Sequence, residues 1–162
     1  MNLPIALIAA VATQVLCQLF KVFFYSAKDG TFSFRYFFTS GGMPSAHSAF
    51  VTALATSVAL NAGIFSDLFA ACAVFGFIVM YDAYRLRGTV EKLTIIIRRM
   101  LEQRSHDAAG EGAPIAGTAA MIGEDLELPK MLGHTVPEIA VGIIVGLLLG
   151  GGFSLLLHLL LG

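Results

Sequence analysis

Four stretches of this chain are long and apolar enough to cross a lipid bilayer, at about 3–25, 44–62, 66–84 and 137–161. An apolar bilayer core about 30 Å thick needs roughly 20 such residues per helix. No water is present there to satisfy a bare backbone, so each span must be helical. Composition agrees: 57% of the 162 residues are hydrophobic and 13% are charged, against about 25% charged in soluble domains. The expected fold is a single all-α integral membrane domain over 1–162, with about four transmembrane helices. A soluble helical bundle is the weaker alternative.

Charge placement sets the expected orientation. All ten Lys and Arg residues lie in two segments or at their margins, from Lys21 to Arg35 and from Arg85 to Lys130. With four spans both segments fall on one side, and basic loops stay cytoplasmic. Both chain ends are then expected outside, in a multi-pass cell-membrane protein. The N-terminus lacks the basic region of a signal peptide and reads as an uncleaved span. Cys17 and Cys72 lie within spans at no metal-ligand spacing, so neither a disulfide framework nor a metal site is expected from them.

Polar residues within the spans narrow the packing. Gln14, Gln18 and Lys21 share one helix face and should face protein or water rather than lipid, unless Lys21 only snorkels to the interface. An aromatic loop around Arg35 in 26–40 suits the headgroup layer. Ser48, Thr52 and Thr56 recur every four residues, a pattern of helix packing more often than of chemistry. Gly142, Gly146 and Gly150 do the same in the last span, against another span or a second subunit. Between 89 and 104, Leu93, Ile96, Ile97 and Met100 oppose Lys92 and Arg99. This reads as an amphipathic helix on the cytoplasmic membrane surface, followed by a loop at 105–123. His158 reads as an interfacial residue without chemistry.

Two helix starts carry the candidate chemistry. In "GGMPSAH", 41–47, Pro44 is expected in the first helical turn. The amides of Ser45, Ala46 and His47 would then be open to a phosphate, with a hydroxyl from Ser45 and a proton from His47. In "GHTVPE", 133–138, His134 stands four residues before Glu138. Two histidines on one side suit phosphoryl transfer, one attacking phosphorus and the other protonating the leaving oxygen. Glu138 either orients His134 or closes a capping box with Thr135.

At these residues the chain resembles the type 2 phosphatidic acid phosphatase and vanadium haloperoxidase superfamily. "GGMPSAHS", "VMYDA" at 79–83 and "LGHTVPE" at 132–138 together resemble its divergent bacterial and plastid branch, so a photosynthetic eukaryote would place the protein in a plastid membrane. The resemblance implies His134 as nucleophile, His47 as general acid, Glu138 in place of the usual Asp, and Lys21 and Ser45 as phosphate ligands. The chain departs from the pattern at Ala46, where Gly is usual, and at Leu128, where an arginine is expected. Arg85, Arg87 or Lys130 would have to supply that charge, with Asp82 holding an arginine or capping its helix.

The expected function is hydrolysis of a membrane lipid phosphomonoester or pyrophosphate through a phosphohistidine, with no cofactor and no metal. Phosphatidylglycerophosphate, phosphatidate and polyprenyl phosphates are candidate substrates. The expected partners are the lipid bilayer and a lipid phosphate, no nucleic acid, and a second subunit if one copy leaves the site incomplete. The alternatives are a non-catalytic lipid-phosphate binding or transport protein, and a metal-dependent hydrolase using His47, Asp82, His134 and Glu138.

Overall fold

A computed structural model of the chain describes residues 4–38, 41–108 and 134–161, without the side chains of 86–88, 91, 101, 102, 104–108 and 161. The described residues are helical, in the order α1 (Ile5–Asp29), a short 3-10 helix (Phe34–Phe38), α2 (Ala46–Ala62), α3 (Asp67–Ala108) and α4 (Val136–Leu161). Three of these, Ile5–Asp29, Asp67–Arg85 and Val136–Leu160, are long and apolar enough to cross a membrane. At 17 residues, α2 is shorter, about 26 Å at 1.5 Å per residue. It packs against α1, α3 and α4 and forms the centre of the bundle.

The packing is that of a protein dissolved in lipid. Ala9, Ala10, Thr13 and Cys17 of α1 are buried, whereas Leu7, Phe20, Phe23 and Phe24 are exposed. Small and polar residues turn inward because lipid tails are as apolar as leucine, so close backbone approach and interhelical hydrogen bonds hold helices together. The buried face of α1 repeats every four residues through Ala9, Thr13, Cys17 and Lys21. The helix stops at Gly30, whose φ of +69° is a left-handed cap that costs a Cβ-free residue little.

The glycine stripe of α4 meets α2, not a second subunit. A Cβ on Gly142 would stand 2.6 Å from the Ser45 carbonyl oxygen, one on Gly146 2.6 Å from that of Ala49, and one on Gly150 2.5 Å from the Ala53 Cα. The Ser48, Thr52 and Thr56 face of α2 is therefore largely a packing face, as its spacing suggests. Further along the same seam Ser57 donates a 3.1 Å hydrogen bond to Ser154. At its end the exposed His158 hydrogen-bonds Asn61.

The sequence reading separates a span at 66–84 from a surface helix at 89–104, and here the structure differs. The two run together as one 42-residue helix, about 63 Å long and roughly twice the apolar thickness of a bilayer. Between Asp82 and Thr89 there is no proline, and Gly88 alone weakens a helix by only about 1 kcal/mol. The helix start at Ser66 is as expected: its hydroxyl accepts from the Phe69 N–H at 3.2 Å after the turn at Gly63.

Candidate functional site

One end of the bundle gathers the three quoted motifs. The Ser45 N–H donates to the Glu138 carbonyl at 3.1 Å, and the His134 N–H to the Ala83 carbonyl at 3.4 Å. These two bonds join "GGMPSAH" to "GHTVPE" and "GHTVPE" to "VMYDA", segments far apart in the chain. Lys21, bonded to the loop before α2, and Arg85, two residues past Ala83, accordingly lie toward the same end.

The loop before α2 is held from α1. Lys21 is 1% exposed, and its ammonium donates to the Gly41 carbonyl at 3.0 Å. It does not snorkel. One of its three N–H donors is thus committed to the loop. Gln14 and Gln18 are half-buried on the same helix. Gly42 adopts a φ of +86°, and a Cβ there would lie 2.5 Å from the Tyr25 hydroxyl oxygen. That oxygen in turn accepts from the Met43 N–H at 3.4 Å. Gly42 is required both by its dihedral and by the tyrosine packed against it.

Pro44 lies just ahead of the α2 cap rather than in the first turn. Ser45 is the N-cap, with extended backbone (φ −68°, ψ 106°). Its hydroxyl accepts from the Ser48 N–H at 3.4 Å and lies 3.0 Å from the Ser48 hydroxyl. Fully buried and with its amide directed to Glu138, Ser45 builds the helix start instead of opening toward solvent. Ala46 and His47 then occupy the first two helical positions, whose N–H groups have no acceptor within their own helix.

The histidines converge. The ring of His47, half-buried, and that of His134, 4% exposed, stand 6.4 Å apart between centroids at 61°. Behind His134, its Nδ1 lies 3.2 Å from Glu138 Oε2, and the same oxygen accepts from the Thr135 N–H at 3.0 Å. One carboxylate oxygen of Glu138 thus meets both the α4 cap amide and the His134 ring. A carboxylate accepts only, so the neutral His134 imidazole that suits this contact is the one with its proton on Nδ1; Nε2, on the other side of the ring, is buried.

The cationic candidates divide. Arg85 is exposed and lies about 200° around α3 from Ala83, whereas Arg87 lies one turn beyond Ala83 on the same face. The Arg87 side chain, Lys130 and Leu128 lie outside the described part. Asp82 is half-buried beside Ala83. Among the described residues no three His, Cys, Asp or Glu side chains come together as metal ligands.

Sequence reasoning missed the bonds that position these groups: Lys21 to Gly41, Tyr25 to Met43, and Ser45 to Glu138. Each joins a side chain or amide to a partner without a distinctive residue type. The buried Lys21 was a signal that something polar must meet it, but not which carbonyl.

No solved structure matches the chain. A membrane protein of Bacillus subtilis strain 168 carrying the name "Uncharacterized membrane protein YuiD" is 34% identical over 149 residues, covering 91% of each chain. A family model described as the divergent PAP2 family matches residues 4–149, which include α1–α3 and the site histidines. The protein is an all-helical membrane protein and belongs to the divergent PAP2 family.

Proposed function

We propose that this protein is a membrane phosphatase that removes phosphate from a lipid phosphomonoester or pyrophosphate. The observation that carries the reading is the approach of His47 to His134 with Glu138 behind it. A phosphoryl group between two imidazoles needs about 3–3.5 Å on the attacking side and a hydrogen bond of roughly 2.6–3.2 Å on the other. The 6.4 Å between ring centroids puts both imidazoles within reach of one phosphate, and an in-line transfer, which adds the length of the P–O bond, needs the rings to part by roughly 1–3 Å.

His134 Nε2 attacks phosphorus, and the bond to the leaving oxygen breaks as His47 supplies its proton. The P–N bond so formed is then broken by water, which gives a proton back to His47, and orthophosphate leaves. Glu138 stabilises the imidazolium that His134 becomes. The first-turn amides of α2, the charge of Lys21 under the loop, and Arg87 on the Ala83 face offset charge on the phosphoryl oxygens. Lys21 does so from its buried position, and Arg85 is the weaker arginine candidate because it faces away. Membership of the PAP2 family supports the phosphatase reading, and the positive-inside rule supports a site facing the cytoplasm.

A second reading, a non-catalytic lipid-phosphate carrier, is favoured by the burial of Ser45 in its cap and by Leu128 in the place of an arginine. The deciding experiment is phosphate release by the purified protein from phosphatidate, phosphatidylglycerophosphate and polyprenyl phosphates, with and without chelator. The phosphatase reading expects chelator-insensitive release, inhibited competitively by vanadate more strongly than by inorganic phosphate because vanadate mimics the five-coordinate transition state. Tight lipid-phosphate binding with no release would establish the carrier instead.

A further inference from the structure

Between α1 and α4 the helices part to leave an apolar groove of about 710 Å³. Cys17 and Phe20 line one wall, Val141 and Val145 the other, and Met43 and Pro44 of the loop complete it. Apart from the Cys17 thiol, no lining side chain carries a polar group. The volume lies within the roughly 300–1,000 Å³ of pockets that enclose small ligands.

Each wall of the groove leads straight to the candidate site. Cys17 is one turn from Lys21 on the buried face of α1, and Val141 is one turn from Glu138 on α4. Pro44 adjoins the Ser45 cap and precedes His47 by three residues. On α4 the groove runs from Val141 to Leu149, about 12 Å into the span at 1.5 Å per residue.

We infer that this groove holds a hydrocarbon chain of the lipid whose phosphate lies between His47 and His134. The inference rests on the phosphoryl-transfer reading and adds which part of the substrate is recognised, and where. A helix of a second copy would cover the apolar walls but leave the adjoining phosphate site unused. Only a molecule with an apolar tail joined to a phosphate head uses both the groove and the site.

The groove contributes orientation rather than affinity. A chain leaving bulk lipid for an apolar groove exchanges one apolar surrounding for another, so it gains little hydrophobic free energy. What it gains is a fixed direction. With the tail along α1 and α4, the phosphoester bond is held at the histidine pair, and positioning of this kind accounts for large rate factors. A phosphate ester without a tail reaches the same histidines with no such alignment.

The test compares hexadecyl phosphate with nitrophenyl phosphate on the full-length protein in lipid nanodiscs. Leu16→Trp and Leu149→Trp fill the groove, and Ile144→Trp places the same bulk on an exposed part of α4 outside it. The groove variants should lose about 10–100-fold in kcat/KM on hexadecyl phosphate and retain the wild-type rate on nitrophenyl phosphate. Ile144→Trp should match wild type on both. Equal losses on the two substrates, or none on hexadecyl phosphate, would overturn the groove assignment. A wild-type protein inactive on both would instead overturn the phosphatase reading beneath it. A photoreactive hexadecyl phosphate then decides the groove by itself: label in 16–24 and 141–149, suppressed by Leu149→Trp, supports it. Label confined to α3, label unaffected by the variant, or no label overturns it.

Discussion

Glu138 offers the sharpest separation of two roles, because a single oxygen performs both. Its Oε2 accepts from the Thr135 N–H at 3.0 Å and faces His134 Nδ1 at 3.2 Å. In Glu138→Gln the amide oxygen can occupy that position and accept both N–H groups, so the cap and the His134 tautomer survive while the charge is lost. Hydrogen bonds to charged groups contribute about 1.5–3 kcal/mol and neutral ones about 0.5–1.5. The difference, on the order of 1–1.5 kcal/mol, corresponds to roughly a tenfold loss of rate. Glu138→Ala removes the acceptor altogether. A catalytic imidazole held in the wrong tautomer costs on the order of 10⁴-fold elsewhere, and loss of the cap costs about 1 kcal/mol of stability.

The assay is phosphate release from a lipid phosphate by the three proteins at matched amounts. Nitrogen-15 NMR of labelled histidine, which reports the tautomer without turnover, accompanies it. Wild type and Glu138→Gln should both hold the proton on Nδ1, and Glu138→Ala should not. If Gln is as inactive as Ala, a neutral acceptor does not suffice and the charge dominates. If Gln equals wild type in rate, the carboxylate serves only the helix cap, and its role in stabilising an imidazolium is refuted.

Other outcomes test the packing and the ends of the site. Gly146→Ala should destabilise the protein by about 1–3 kcal/mol, because its Cβ would press within 2.6 Å of the Ala49 carbonyl oxygen; Gly152→Ala, with nothing within 4 Å, should not, as thermal unfolding in detergent would reveal. Arg87→Ala should slow phosphate release more than Arg85→Ala, since only position 87 shares the Ala83 face, and the reverse order would contradict that assignment. The Asp29 carboxylate, which accepts the Tyr36 hydroxyl's hydrogen bond, pushes the Tyr36 phenol above its ordinary value. The neutral phenol is the form favoured, so Asp29→Asn should bring its spectrophotometric titration to lower pH.

Much of this architecture was legible because membrane spans are written in long apolar runs, and because histidines beside helix-starting glycines are rare in such runs. The spans near 3–25 and 137–161 lie where α1 and α4 do, and the pairing of His47 with His134 follows from their placement on one side. The extension of α3 was not legible: the charges after Asp82 look like the end of a span, yet a helix continues into water as readily as it stops. Nor could spacing alone tell whether Gly142, Gly146 and Gly150 face α2 or another copy, since small residues suit either. Ser45 was misjudged because an N-cap serine and an open phosphate donor have the same sequence signature. The burial that separates them depends on the crossing of α4 over α2.

The most direct test of the central claim is whether His134 becomes phosphorylated. His47 should be needed most where a poor leaving group must be protonated, and again when water attacks the phosphohistidine. In His47→Ala, nitrophenyl phosphate, whose phenolate leaves without help, should therefore still transfer its phosphoryl group, and the intermediate should accumulate. Radiolabelled substrate quenched in alkali should leave base-stable, acid-labile label on the His134 peptide of His47→Ala. The label should be absent from the His47→Ala/His134→Ala double variant. No label, label on another residue, or turnover by His134→Ala would contradict a phosphohistidine mechanism.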